Sequence, residues 1–195
     1  MNDTSDDQAL MTAYRGGDAN AFEILYRRHK GPVYRYLLRQ CKNPAIAEEI
    51  FHEAWLGLIK AKDRYEPTAK FTTYLYHLAH NRLIDYYRRQ AVGIPISYDD
   101  DPDPLMERQA DVAEHEPENE LDRQRMAKKL FGLIADLPDA QREAFLLREE
   151  AGMSIEEIAV ATGVNAETAK SRLRYAVAKL RSGMQTTDNR GSAVW

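Results

Sequence analysis

The side chains best suited to chemistry lie near the C-terminus and match the edges of paired DNA bases. They share or flank one face of a predicted helix: Glu167, Thr168, Lys170, Ser171, Arg172, Arg174 and Tyr175. In the major groove, Arg and Lys donate to guanine, and Glu can accept from cytosine. The pattern predicts a helix that reads duplex DNA, although a solvent-facing basic surface would carry the same residue types.

The residues before this helix must form a turn that presents it. Ser154 and Glu157 have the spacing of a capping box, which begins a first helix, and Gly163 can end it in the left-handed conformation. Asn165 can cap the helix that follows. The inward stripe of that second helix is predicted from apolar residues at helical spacing: Ala169, Leu173, Val177 and Leu180. Turn, caps and charge together predict a helix-turn-helix.

A second group of side chains, on a predicted helix from Phe71 to Gln90, suits unpaired bases. Its members fall on one helical face: Tyr74, His77, Asn81 and Arg88. Rings stack on unpaired bases, Asn reads base edges and Arg holds phosphates. The alternative interpretation, in which the tyrosines belong to a small helical core, stays open. Leu75, Ala79 and Leu83 are expected to face the core. His77 and His80 lack a third ligand, so no metal site is predicted.

An acidic ridge lies on the helix predicted to begin near Pro44. It is formed by Glu48, Glu49, His52 and Glu53, opposite a stripe of Ile46, Ile50, Ala54 and Leu58. Such a ridge is either simply solvated or docks on a basic partner helix. Upstream, Ser5 and Gln8 predict a capping box for a first helix that ends at Gly16-Gly17, and Gly31-Pro32 predicts a break in the second.

Charge is distributed unevenly along the 195 residues. The segment from Asp99 to Asp122 holds eleven acidic residues and one basic residue, a charge of −10, so the rest of the chain carries +6 although the total is −4. The acidic, proline-containing stretch predicts an extended linker between two domains. It is either a solvated spacer or a chain that occupies a basic channel in a partner.

Composition excludes several functional classes. No apolar run is long enough to span a membrane, and the N-terminus does not resemble a signal peptide. The single cysteine, Cys41, fits a reducing compartment, so a cytoplasmic location is expected. The sequence contains neither a glycine-rich phosphate loop nor a nucleophile elbow. We therefore predict no enzymatic activity and no cofactor.

Several segments, in order, resemble those of bacterial sigma factors. Residues 47–55 (AEEIFHEAW) resemble their polymerase-docking segment, and residues 71–89 resemble their melting and minus-ten segment. Leu137-Pro138 and the helix-turn-helix ending at Lys170–Leu173 resemble their fourth region. Only these two regions are found, so the chain is similar to the extracytoplasmic-function (ECF) group. It differs from the usual pattern at Tyr74 (usually Trp), His52 (usually Gln) and Tyr175 (often Arg).

The resemblance implies an all-α fold of two small domains. Residues 1–92 would form region 2, 93–122 an acidic linker, 123–185 the region 4 helix-turn-helix and 186–195 a flexible tail. It implies binding to core RNA polymerase, to promoter DNA as duplex and single strand, and to an anti-sigma factor, without direct membrane insertion. Core docking would use Glu48, Glu49, His52, Glu53 and Leu56. Melting and minus-ten recognition would use Tyr65, Lys70, Phe71, Tyr74, His77, Asn81 and Arg88, whereas the C-terminal set would read the minus-thirty-five element.

Two other functions fit parts of the sequence. A stand-alone helix-turn-helix regulator would bind duplex DNA without polymerase, using the N-terminal half for sensing or dimerisation. An interaction adaptor would use its helical faces and show no salt-dependent DNA affinity.

Overall fold

The computed structural model describes residues 6–90 and 120–185, and every regular element in these ranges is helical. The α-helices are α1 (Asp7–Arg15), α2 (Ala19–Cys41), α3 (Pro44–Ala61), α4 (Phe71–Gln90), α5 (Glu120–Ala135), α6 (Asp139–Ala151), α7 (Ile155–Thr162) and α8 (Ala166–Gln185). The all-α prediction is confirmed. Ser5, most of the predicted acidic linker and the predicted tail lie outside the described residues.

The first four helices pack around the stripes that the sequence suggested. Asn43 caps α3 by accepting from the amides of Ala45 and Ile46 at 3.0 and 3.4 Å. On α3 the buried residues include Ile50, Ala54 and Leu58, and on α4 they include Leu75, Ala79 and Leu83. These core predictions are confirmed. A short 3₁₀ turn and a loop join the two helices.

Two predictions for the N-terminal helices are wrong. The N-cap residue of α1 is Asp6 and not Ser5, it makes no side-chain cap, and the Gln8 amide donates to the Ala69 carbonyl at 2.9 Å. The second helix does not break at Pro32 but continues to Cys41. A proline inside a helix costs about 3 kcal/mol. Here, the fully buried face of Val33, Tyr36 and Leu37 offsets that cost.

The last three helices contain the predicted helix-turn-helix. The capping box is present, with Ser154 N–H donating to Glu157 at 2.8 Å and Glu157 N–H donating to Ser154 Oγ at 3.2 Å. Gly163 ends α7 with φ of 69°. Asn165 caps α8 by accepting from the Thr168 amide at 2.7 Å.

The stripe on α8 differs from the predicted one at a single position. Ala169 and Leu180 are buried, but Val177 is 38% exposed and Ala176 is buried in its place. Positions 169, 173, 176 and 180 are spaced by four, three and four residues, which follows the 3.6-residue period of the helix. The predicted set took two successive steps of four, which rotates position 177 away from the core.

The two groups of helices pack against each other. Helix α6 lies against α2, and α7 lies against α4. The contact contains buried polar side chains, among them Gln40, Arg142 and Glu143, which are 2–3% exposed. This packing decides which predicted functional residues can reach a nucleic acid.

Candidate nucleic-acid interface

The face of α8 that is predicted to read duplex DNA projects away from the rest of the protein. Glu167, Lys170 and Arg174 are exposed, and Lys170 pairs loosely with Glu167 at 3.8 Å. The Arg174 guanidinium lies 5.1 Å from the centre of the Tyr175 ring. Its orientation is therefore partly set by a cation–π contact.

The remaining members of the predicted set flank this face. They are all half-buried: Thr168, Ser171, Arg172 and Tyr175. The Ser171 hydroxyl donates to the Thr168 carbonyl at 3.0 Å. Helix α8 therefore offers three projecting side chains with opposite charges, which is the chemistry that separates guanine from cytosine in the major groove.

The aromatic residues at the loop before α4 are placed differently. Tyr65 and Phe71 are only 3% and 1% exposed, so in this conformation their rings support the loop from beneath. Tyr74 is half-buried, with its ring 5.2 Å from that of Tyr65. Burial raises the pKa of both tyrosines. In the loop itself, Glu66, Pro67, Thr68 and Lys70 are exposed.

The polar members of the predicted strand-reading face meet α7. His77 Nδ1 donates to the Ala161 carbonyl at 3.0 Å, and Asn81 donates to His77 Nε2 at 3.0 Å. Lys70 pairs with Glu157 at 2.8 Å. That lysine hydrogen bond is the main reason that the pKa of Glu157 is lowered. The helix-turn-helix thus engages His77 and Lys70, while Asn81 and Arg88 remain exposed.

Arg88 belongs to a basic groove that the sequence did not single out. The groove, of about 680 Å³, lies between α3 and α4 and is lined by Glu53, Leu56, Gly57, Lys60, Arg82, Asp85, Arg88 and Arg89. Ion pairs of 3.6 Å join Arg89 to Glu53 and Arg82 to Asp85. The four cations are suited to phosphate oxygens. The three arginines among them, which cluster in the second half of α4, were the available signal.

The predicted docking ridge is exposed on α3. Glu48, Glu49 and His52 face solvent, and Leu56, further along the same helix, is 51% exposed. Glu53 is half-buried and pairs with Arg89. An acidic surface with an exposed leucine suits a partner that is basic and partly apolar.

A polar network, missed in the sequence, holds the two helical groups together. Glu143 accepts from the Tyr36 hydroxyl at 2.6 Å and lies 2.7 Å from His80 Nδ1. Arg142 Nε donates to the Gln40 side chain at 2.8 Å. No periodic pattern marks such residues, because buried and exposed polar residues look alike in a sequence.

A second ion-pair cluster lies beside this network. Glu150 accepts from Arg35 Nε at 2.9 Å and also pairs with Arg39. Nearby, burial raises the pKa of the Cys41 thiol to about 11, against the smaller opposing effect of Arg142. Cys41 therefore stays a thiol at neutral pH.

Two absences can be stated for residues 6–90 and 120–185. No cluster of His, Cys, Asp or Glu there could hold a metal ion. None of the helices in those ranges has both the length and the apolar character needed to cross a bilayer.

Models of known protein families match both groups of helices. Residues 25–92 match the model of sigma-70 region 2, and residues 128–180 match that of sigma-70 region 4. The RNA polymerase sigma factor CarQ of Myxococcus xanthus is 31% identical over 172 residues, covering 88% of this chain and 93% of CarQ. The ECF sigma factor RpoE of Cereibacter sphaeroides is 30% identical over 189 residues, covering 94% of this chain and 97% of RpoE.

Solved structures show the same fold. CnrH, solved in complex with the cytosolic domain of CnrY, superposes with a TM-score of 0.65 at 18% identity, covering 94% of this chain and 99% of CnrH. RpoE of Bartonella quintana, solved with the anti-sigma factor NepR, gives a TM-score of 0.63 at 17% identity, covering 85% of this chain and 98% of RpoE.

The fold and the two family matches define a transcription factor of the sigma-70 class with regions 2 and 4. Within that class, the chain belongs to the ECF sigma factors. It is an alternative sigma factor that directs transcription, and the stand-alone regulator is not favoured.

Proposed function

We propose that this factor binds core RNA polymerase through the α3 ridge and reads promoters in two forms. Helix α8 reads the minus-thirty-five element as duplex, and α4 with its preceding loop holds the opened minus-ten strand. The observation that carries the proposal is the projection of Glu167, Lys170 and Arg174 from a helix whose other face is buried. On this proposal, residues 1–92 and 123–185 are the two working domains, joined by the acidic linker and followed by the tail.

Melting requires no covalent chemistry in this scheme, in keeping with the non-enzymatic sigma family. Capturing an unpaired base traps a base pair that has already opened, so binding energy drives the separation of strands. The engagement of His77 and Lys70 by the helix-turn-helix supports a sequence of events in which α7 leaves α4 before the strand is held.

We also propose an anti-sigma factor as a partner and the cytoplasm as the place of action. An anti-sigma factor is supported by the complex of the similarly folded Bartonella quintana RpoE with NepR. Action in the cytoplasm follows from the need to meet core polymerase.

A run-off assay with purified core polymerase tests the proposal. The factor should yield promoter-specific transcripts only with core enzyme, and Glu48→Lys with Glu49→Lys should lower core affinity by roughly tenfold or more, since both carboxylates are exposed on the ridge. Glu23→Lys with Glu149→Lys makes the same total charge change at exposed sites on α2 and α6 and serves as control. Tight specific DNA binding without polymerase, or wild-type core affinity in the double variant, would contradict it.

Duplex reading gives a separate prediction. Lys170→Ala or Arg174→Ala should each weaken binding to the minus-thirty-five element by about 1–3 kcal/mol, the value of a bidentate base contact. Arg181→Ala removes an exposed cation from the same helix and should have a smaller effect that does not depend on sequence. Competition between the native element and mutated elements measures the change in sequence preference. If each variant lost the same affinity for all sequences, its side chain would contact only phosphate.

A further inference from the structure

The loop between α3 and α4 is a short exposed segment between buried anchors. Tyr65 at its start and Phe71 after its end are buried, whereas Glu66, Pro67, Thr68 and Lys70 are exposed. Within it, the Thr68 amide donates to the Glu66 carbonyl at 2.8 Å. A five-residue segment with one internal hydrogen bond has little of its own to select a single shape.

Helix α1 supplies two donors to this loop. Gln8 Nε2 donates to the Ala69 carbonyl at 2.9 Å, and Arg15 Nη1 donates to the Tyr65 carbonyl at 3.1 Å. The two residues are seven apart on α1, which is about 10 Å along a helix. One rigid element therefore grips both ends of the loop.

The position of α1 is itself fixed against α2. Asp7 accepts from Arg28 at 2.6 Å and pairs with His29 at 2.7 Å. Burial would raise the pKa of Asp7, but the hydrogen bonds from His29 and Arg28 outweigh that effect and lower it. The His29 ring in turn lies 5.3 Å from that of Phe71. A chain of contacts thus runs from α2 through α1 to the loop.

Stability alone does not require these two bonds. The loop is at the surface, so water could satisfy both carbonyls if Gln8 and Arg15 were absent, and the net stabilisation from each bond is small. What water could not supply is a fixed direction, because only a rigid donor holds a carbonyl in one orientation.

We infer that Gln8 and Arg15 are positioning residues, which hold the α3–α4 loop in the shape that selects the minus-ten strand. The inference rests on the proposed function, since it assigns that selection to the loop. Neither residue lies on the face of α4 predicted to read the strand, so their influence on sequence preference passes through the loop backbone.

Three variants and a control test this inference in the full chain. Gln8→Glu is isosteric but cannot donate, and Arg15→Met keeps the stem without the donors. Arg15→Lys restores a donor and should recover part of the effect. Thr12→Ala removes an exposed side chain from the same helix, whose hydroxyl bonds only to the Gln8 carbonyl of that helix.

The first measurement is independent of transcription. Hydrogen exchange of the Thr68 amide should become roughly three- to tenfold faster in Gln8→Glu and Arg15→Met, the factor that one lost hydrogen bond represents. Thr12→Ala should match wild type, and all variants should keep the wild-type midpoint of thermal unfolding within a few degrees. Unchanged exchange in both variants would overturn the inference.

The second measurement uses core polymerase and a template library with a randomised minus-ten element. Sequenced transcripts from Gln8→Glu and Arg15→Met should show a preference at the selected positions that is roughly three- to tenfold weaker, with wild-type core affinity and partial recovery in Arg15→Lys. Wild-type preference despite faster exchange would overturn the positioning role alone. Absence of transcripts with wild-type factor would overturn the proposed function, and this inference with it.

Discussion

Glu150→Arg should separate the two groups of helices in the free chain. The substitution places a third cation beside Arg35 and Arg39, where the Glu150 carboxylate, with its side chain 9% exposed, now neutralises both. Part of this cluster is open to solvent, so we expect the contact between the groups to weaken by about 2 kcal/mol. Small-angle scattering should report a larger radius of gyration.

The native cysteine gives a second readout of this opening. Cys41 is the only cysteine, and its thiol pKa of about 11 reflects burial, which outweighs the opposing effect of Arg142. Once exposed, the thiol should approach its ordinary pKa of about 8.5 and react with iodoacetamide at least tenfold faster at pH 8. Glu149→Arg, an exposed neighbour, is the matched control.

A charge exchange makes the test specific. Arg35→Glu with Arg39→Glu should restore compactness and slow alkylation when combined with Glu150→Arg, because opposite charges again face each other. Wild-type scattering and alkylation in the single variant would mean that the ion pairs contribute nothing to closure.

Arg142→Met should cause the largest loss of stability, about 3 kcal/mol in the free energy of unfolding. The Arg142 guanidinium is buried and donates to Gln40 Oε1 at 2.8 Å, the Leu137 carbonyl at 2.9 Å and the Gln40 carbonyl at 3.3 Å. It also pairs with Asp139. Methionine fills similar space but leaves these acceptors unpaired.

Arg142→Lys should lose nearly as much free energy of unfolding, because one ammonium group cannot reproduce the planar fork of guanidinium donors. Urea unfolding measures the stability of both variants, with Arg148→Lys as the control. Arg148 is exposed and donates to the Met153 carbonyl at 2.7 Å, a contact that a lysine can keep. A cost below about 1 kcal/mol at position 142 would show that the network adds little beyond packing.

The sequence predicted the helical fold where local chemistry decides structure. The Ser154–Glu157 capping box, the Asn165 cap, the Gly163 terminus and the start of α3 at Pro44 are all confirmed, because each depends on residues within four positions of one another. The continuation of α2 through Pro32 was missed, since burial against α1, α3 and α6 outweighs a local signal.

The candidate site was predicted less completely. Exposure of Lys170 and Arg174 follows from the periodicity of α8, but the burial of Tyr65 and Phe71 depends on packing with distant segments. The bonds of α6 to α2 and α4 were also beyond the sequence, because Gln40, His80 and Glu143 find partners more than sixty residues away. Polar residues give no periodic signal for such pairing.

The pairing of Lys70 with Glu157 and of Arg35 and Arg39 with Glu150 has a consequence for ionic strength. Added salt screens these exposed or half-exposed pairs and so favours separation of the helical groups. The same salt weakens contacts between protein cations and DNA phosphates. Because the two effects oppose each other, promoter engagement by this factor should be greatest at an intermediate electrolyte concentration.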